Sequence, residues 1–232
     1  MPNLANDPNR ELLERAVDLL RPLLHEIVFV GGCATGLLIT DPASAGVRVT
    51  NDVDVIVEVA SYAKYEALSE RLRGLGFAED AEDGVICRWR HSELVLDVMP
   101  TDARILGFSN RWFGAAIARA RQVALSSGQI RAIAPVYFLA TKLEAFRGRG
   151  ADDVTASHDL EDVIAVIDGR SEIEDEVGAA EADVRDYLST EFRRLLDDGR
   201  FTDALAGFLL PDAGSQSRLS LLRRRLSALT PA

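Results

Sequence analysis

Apolar residues recur at helical spacing over 9–24 (NRELLERAVDLLRPLL), where Leu12, Leu13, Ala16, Leu19 and Leu20 predict an amphipathic helix. The short run Ile27 to Val30 is wholly apolar and stops at Gly31-Gly32, as a buried strand does, and CATGLLIT behind it opens a short helix. Asp41 to Gly46 (DPASAG) reads as a loop. From Asp52 to Val59 (DVDVIVEV) acids alternate with Val and Ile, the period of a half-buried strand, and Tyr62 to Gly74 is an amphipathic helix closed by glycine. Val85 to Arg90 and Glu93 to Met99 predict two strands joined through His91-Ser92. Residues 119–125 and 129–134 flank Ser126-Ser127-Gly128 as a hairpin, with a helix competing for its first half. After Pro135 the period changes: 136–147, 159–168, 175–199 and 216–229 read as helices with acids on their outer faces. The expected fold is α+β, a mixed β-sheet with flanking helices over residues 1–134 and a helical domain over 135–232.

Composition narrows the class. A chain of 232 residues, 47% hydrophobic and 27% charged, is ordinary for a globular protein, which excludes collagen-like, disordered and disulfide-scaffold classes. No apolar run approaches the roughly 20 residues needed to span a bilayer. The polar, acid-bearing stretch Met1 to Arg10 is unlike a signal peptide. Two cysteines, Cys33 and Cys87, suit a reducing compartment and are too few for a zinc cluster. The expectation is a soluble, cytoplasmic protein with no membrane partner. Cys33, just after the glycines, is either a small packing residue or a thiol activated at a helix N-terminus.

The net charge of -11 argues against a polyanionic partner, but the charge is unevenly spread. Residues 151–200 hold 16 acids against 5 bases, while residues 85–150 hold 10 bases against 4 acids, and nine of those bases are Arg. Arg suits phosphate, so the middle third is either a solvated basic face or a nucleotide- or RNA-facing one. Trp89 and Trp112 lie among these arginines, placed either to stack a base or to pack in a core. His25, His91 and His158 have no zinc-ligand spacing.

The chemistry concentrates in two stretches. On a strand, Asp52 and Asp54 share one face while Val53 and Val55 point into the core. Two carboxylates so close repel unless a cation neutralises them, and Mg²⁺ takes such hard oxygen ligands together with substrate phosphates. Asp97, an acid between Leu96 and Val98 in ELVLDVMP, is the candidate third carboxylate; its alternatives are a loop cap or an ion pair with Arg88 or Arg90. A strand ending in Gly31-Gly32 before a helix lets backbone N–H groups approach a phosphate. An isolated Asp-x-Asp is usually an exposed acidic face and a Gly-Gly usually only a turn; their order here is what points to a nucleoside triphosphate and a metal.

In Phe29-Val30-Gly31-Gly32 followed by Thr50-Asn51-Asp52-Val53-Asp54, the chain resembles the nucleotidyltransferases of the DNA-polymerase-beta type. Within them it resembles the AbiEii-like toxins of bacterial toxin–antitoxin systems, through Leu139-Ala140-Thr141-Lys142-Leu143-Glu144-Ala145-Phe146-Arg147 and then His158-Asp159-Leu160-Glu161-Asp162. The likeness runs from about residue 27 to 168. It implies that Asp52, Asp54 and Asp97 bind Mg²⁺ or Mn²⁺, that Asp97 also helps activate the attacking hydroxyl, and that Gly31 and Gly32 hold the triphosphate. Lys142 would neutralise phosphate, Thr50 or Thr35 would stand in for the hydroxyl missing at Gly32, and Asp159 would contact base or ribose or fix Lys142. Apart from the resemblance, Lys142 is a solvated helix lysine and Asp159 an N-cap. Two departures stand out: Gly32 replaces a serine, and the connection to Asp52 is long, which DPASAG accounts for. The implied activity is metal-dependent transfer of a nucleoside monophosphate from an NTP to an acceptor hydroxyl, in a toxin modifying tRNA with a cognate antitoxin. The alternatives are a protein- or small-molecule-directed enzyme of adenylylating or aminoglycoside type, and a non-catalytic nucleotide-binding regulator.

Overall fold

The computed structural model describes residues 7–59, 61–80, 85–149 and 154–230. The first six residues of the polar opening stretch therefore lie outside the described residues. The chain divides into two compact units. One comprises Pro8–Ala34 and Val49–Ala134; the other comprises Asp7, Thr35–Arg48 and the described part of 135–232.

The first unit is built on a seven-stranded mixed sheet. Helix α1 (Arg10–Leu19) buries Leu13, Ala16 and Val17 and packs against strands of the sheet. The helical pattern over 9–24 does not run through: Pro22 has no N–H to donate, and the chain continues as a 3₁₀ turn, Arg21–Leu23. Strand β1 (Ile27–Val30) is buried throughout. Helix α2 (Gly31–Ala34) starts at the first glycine rather than behind the pair. Strand β2 (Asp52–Val57) keeps Val53 and Val55 buried while Asp52 and Asp54 are partly exposed on the opposite face. Helix α3 (Tyr62–Gly74) is capped by the Ser61 hydroxyl, which accepts from the Lys64 N–H at 3.3 Å.

The two central strands of the middle segment are β4 (Arg88–His91) and β5 (Leu94–Pro100), turning through Ser92 at φ 52°, and a two-residue edge strand β3 (Ala78–Glu79) joins β4. Two short helices follow that the sequence pattern does not signal, α4 (Ala103–Leu106) and α5 (Phe113–Ala118); Asp102 caps the first by accepting from the Arg104 N–H at 2.9 Å. The ambiguous segment 119–134 is a hairpin, β6 (Arg121–Leu125) and β7 (Gly128–Ala132). Strand pairing prevails over helix there because β7 is also held on its far side by β1. The sheet order is β3-β4-β5-β2-β1-β7-β6, with β2–β5 and β1–β7 parallel and the other pairs antiparallel.

Burial in this unit also raises the pKa of two groups. The Cys87 thiol, 3% exposed, is pushed up from 9.0 to about 12, by burial first and then by the charges of Asp97 and Asp54. Burial likewise raises Tyr65 to about 12. A folded pKa above the unfolded one means stability is fully present below the unfolded value and is lost as pH rises toward the folded one. Unfolding free energy is therefore expected to fall between pH 9 and about pH 12, and the folded protein to leave Cys87 unmodified by a thiol reagent at pH 8. Urea titrations across that range and thiol counting with and without denaturant check both; rapid labelling of native Cys87 would contradict the burial.

The second unit is helical: α6 (Pro135–Gly148), α7 (His158–Gly169), α8 (Ile173–Gly178), α9 (Ala182–Asp197), α10 (Gly199–Ala204), α11 (Ala213–Ser217) and α12 (Leu219–Ala228). The single helix expected over 175–199 is two, because the chain breaks after Gly178 and restarts from Glu181 in extended geometry. Likewise 216–229 resolves into the end of α11 and the whole of α12. Helix α6 packs against α7 and α9, and Phe138, Leu139 and Leu143 of α6, Leu160, Val163 and Ile164 of α7, and Leu188 and Phe192 of α9 are all buried.

Thr35–Arg48 belongs with these helices. The N–H groups of Thr40 and Asp41 both donate to the Gly169 carbonyl at 2.9 Å, and Arg170 donates to the Leu38 carbonyl at 2.7 Å. A Cβ at Gly169 would stand 2.6 Å from Ser44 Oγ and 2.8 Å from Ile39 Cδ1, so those side chains would have to shift for any larger residue there. The length between Gly32 and Asp52 is thus a docked segment, with DPASAG as part of it.

Candidate active site

The acidic residues of the first unit lie in one row across the sheet. Val30 of β1 pairs with Asp54 of β2, Asp54 with Asp97 of β5, and Asp97 with Arg88 of β4. Side chains directly paired across strands share a face, and Asp52, two residues before Asp54, shares it too. The hydrophobic alternation of β2 and β5 therefore brings three carboxylates and one guanidinium to one side of the sheet.

Each group of this face is held. Asp97, 7% exposed, receives Arg88 through both oxygens, Nε at 2.9 Å and Nη2 at 2.8 Å, and Nη2 also reaches Asp52 at 3.3 Å. The other oxygen of Asp52 accepts from the Thr50 hydroxyl at 2.7 Å. Thr50 is itself fixed by its N–H donating to the Asn9 side chain at 2.9 Å. Asp54 rests against the glycine turn: Gly31 has φ +66°, and a Cβ there would fall 1.8 Å from an Asp54 oxygen. Gly31 is thus glycine for two reasons, a left-handed backbone and a carboxylate where a side chain would begin. Gly32 and Cys33 are buried in α2, with the thiol against the Val30 carbonyl at 3.4 Å, so Cys33 is a packing residue.

Thr35, Lys142 and Asp159 lie in the helical unit. Lys142 of α6 pairs with Asp162 at 2.7 Å and Asp159 at 3.2 Å, both on α7, and Arg149 also pairs with Asp159. Arg48 adds a two-pronged contact to Asp162, at 3.0 and 3.1 Å. Lys142 is therefore no solvated lysine, and Asp159 is no N-cap: Ser157 caps α7 by accepting from the Leu160 N–H at 3.3 Å. Asp162, 1% exposed, is the centre of this network. Because it pairs with two cations, Asp162→Ala is expected to cost about 3 kcal/mol of stability, as loss of one member of a buried pair does. Chemical denaturation checks this, and a loss under ~1 kcal/mol would show the network to be marginal.

Much of the basic stretch 85–150 is paired internally. Besides Arg88, Lys142 and Arg149, Arg90 meets Asp80, Arg104 meets Asp102 and Arg147 meets Glu191, while Arg131 donates to the carbonyls of His25 and Ile117. Trp89, 2% exposed, and Trp112, 7%, are packed rather than set out to stack a base. His158 is tied to Glu161 at 2.9 Å.

Three contributors were missed. The sequence offers Arg88 only as one alternative partner for Asp97, Asn9 sits a helix away in sequence, and Arg48 lies in a loop. Their signal is sheet register and chain docking, which no local pattern carries. The donor chemistry of Asp52, Asp54 and Asp97, all carboxylate oxygens, suits Mg²⁺ or Mn²⁺. Yet among the described residues no group of three or more such side chains stands close enough to hold a metal ion. Also among the described residues, no helix is long and apolar enough to cross a membrane.

The fold these elements make is nucleotidyltransferase-like. The chain is similar to a solved structure, an antigenic nucleotidyltransferase-like protein from Paracoccidioides brasiliensis, at 18% identity and a TM-score of 0.52, over 84% of this chain and 93% of that one. The sequence matches no protein-family model and no curated protein. At this identity the likeness defines the fold.

Proposed function

We propose that this chain is a nucleotidyltransferase that moves a nucleoside monophosphate from an NTP to an acceptor hydroxyl. The observation that carries the reading is the in-register pair Asp54–Asp97, with Asp52 on the same face and the Gly31 turn against Asp54, on a nucleotidyltransferase-like fold. The acceptor oxygen would attack the α-phosphorus, forming one P–O bond as the bond to the bridging oxygen breaks and pyrophosphate leaves. The acceptor proton would pass to Asp97 and on to solvent. Thr50 and Asn9 fix the orientation of Asp52, and the start of α2 offers backbone N–H groups to phosphate. Asp52, Asp54 and Asp97 are the residues that would hold Mg²⁺ or Mn²⁺ once their side chains drew closer together than they stand here, and the ion would supply charge neutralisation at the phosphates.

The resemblance implies a tRNA acceptor and an antitoxin partner. The internal pairing of the arginines lends an RNA acceptor no support, so the test offers several acceptors at once. Each α-³²P-labelled NTP is incubated with Mg²⁺ or Mn²⁺, total RNA, cell protein and an aminoglycoside, beside Asp52→Ala. Label in RNA that is lost in the variant supports the tRNA reading. Label in protein or the small molecule keeps the chemistry and changes the acceptor. No label, with no rise in melting temperature on adding NTP and Mg²⁺, overturns the proposal.

A further inference from the structure

The row that carries Asp54 and Asp97 ends on a cation that the chain supplies itself. Arg88 covers both oxygens of Asp97 and, with Thr50, both oxygens of Asp52. Its side chain is only 18% exposed, so it is packed into this position rather than resting on the surface. These are the oxygens that the proposed function assigns to a divalent cation, and a cation taking them would lie against the positive charge of Arg88 and weaken its hydrogen bonds, so the two compete. A guanidinium fork fits phosphate as well as carboxylate, so a bound triphosphate offers Arg88 another partner.

We propose that Arg88 is a resident counter-ion that competes with the divalent cation for Asp52 and Asp97 and yields those oxygens when a nucleoside triphosphate is bound. The inference rests on the proposed nucleotidyltransferase site. It makes cation and nucleotide binding mutually favourable: each ligand raises the affinity for the other by the same factor. Alone, the cation meets an occupied pair of carboxylates.

The test is Mn²⁺ binding by the full chain, followed by the electron paramagnetic resonance of free Mn²⁺, with and without an α,β-methylene ATP analogue. Wild type is compared with Arg88→Gln, whose amide still donates to Asp97, with Arg88→Lys, and with Asp54→Asn. Circular dichroism and melting temperature establish that each is folded. Without nucleotide, Arg88→Gln is expected to bind Mn²⁺ at least tenfold more tightly than wild type, and to lose most of the tightening that the analogue gives wild type. Arg88→Lys, a point charge without the fork, should fall between them and decides the matter if the glutamine variant does not fold. A folded Arg88 variant that binds Mn²⁺ no more tightly than wild type, while Asp54→Asn abolishes the binding, overturns this inference and leaves the cation site standing. If Asp54→Asn changes nothing with or without the analogue, the carboxylates hold no cation and both readings fall together.

Discussion

Asp54→Asn is expected to reduce nucleotidyl transfer roughly a thousandfold or more, about 4 kcal/mol at ~1.4 kcal/mol per tenfold, without lowering the melting temperature. The substitution keeps the volume and removes one charge from the face where Asp52 and Asp97 also stand. Relief of like-charge repulsion compensates the folded state for the contacts the carboxylate made. The reaction gains nothing comparable: a group placed where charge develops is commonly worth a hundred- to a thousandfold alone. Labelled transfer and thermal denaturation on the same preparation separate the two effects. Activity within tenfold of wild type would remove Asp54 from the reaction and, with it, the main support for the proposed chemistry.

Gly31→Ala is the second large effect, and it acts through geometry. At φ +66° an alanine carries the left-handed penalty of ~1–2 kcal/mol, and its Cβ would lie 1.8 Å from Oδ2, 2.5 Å from Cγ and 2.7 Å from Cβ of Asp54. Forcing an extra methyl into a packed position costs ~1–3 kcal/mol more. A total loss near ~3 kcal/mol is expected, together with a fall in transfer, because Asp54 must leave its position to make room. Combining it with Asp54→Ala should recover most of the steric part, because only the 2.7 Å contact with Cβ remains, and leave the backbone part. A double-mutant cycle in denaturant measures that coupling, which is expected to exceed ~1 kcal/mol. Simple additivity would mean that the turn and the carboxylate do not constrain each other.

These two residues were legible because their signals are local. Glycines closing an apolar run and an acid–valine alternation each fix a face within a few residues, so Asp52 and Asp54 were placed on one side of a strand, and ELVLDVMP put Asp97 inside another. What covers those acids was not legible. Arg88 reaches Asp97 through antiparallel register, and Asn9 reaches Thr50 from the start of α1. Helix ends were missed where a proline or a lone glycine outweighs the periodicity, as at Pro22 and Gly178. The arginine-rich stretch left two readings open for the converse reason: a local count of like charges does not register the acids that other segments bring to it.

The docked segment Thr35–Arg48 sets an order of assembly. Its anchors are made with partners 132 residues further along, Thr40 with Glu172 and Leu38 with Arg170. During synthesis the glycine turn and the acidic strand therefore emerge well before the segment between them has anything to bind. Closure over so long a separation is slow compared with pairing of neighbouring strands. A nascent chain stopped before α7 would hold this segment untethered, and its docking would be timed by the ribosome's progress through the helices.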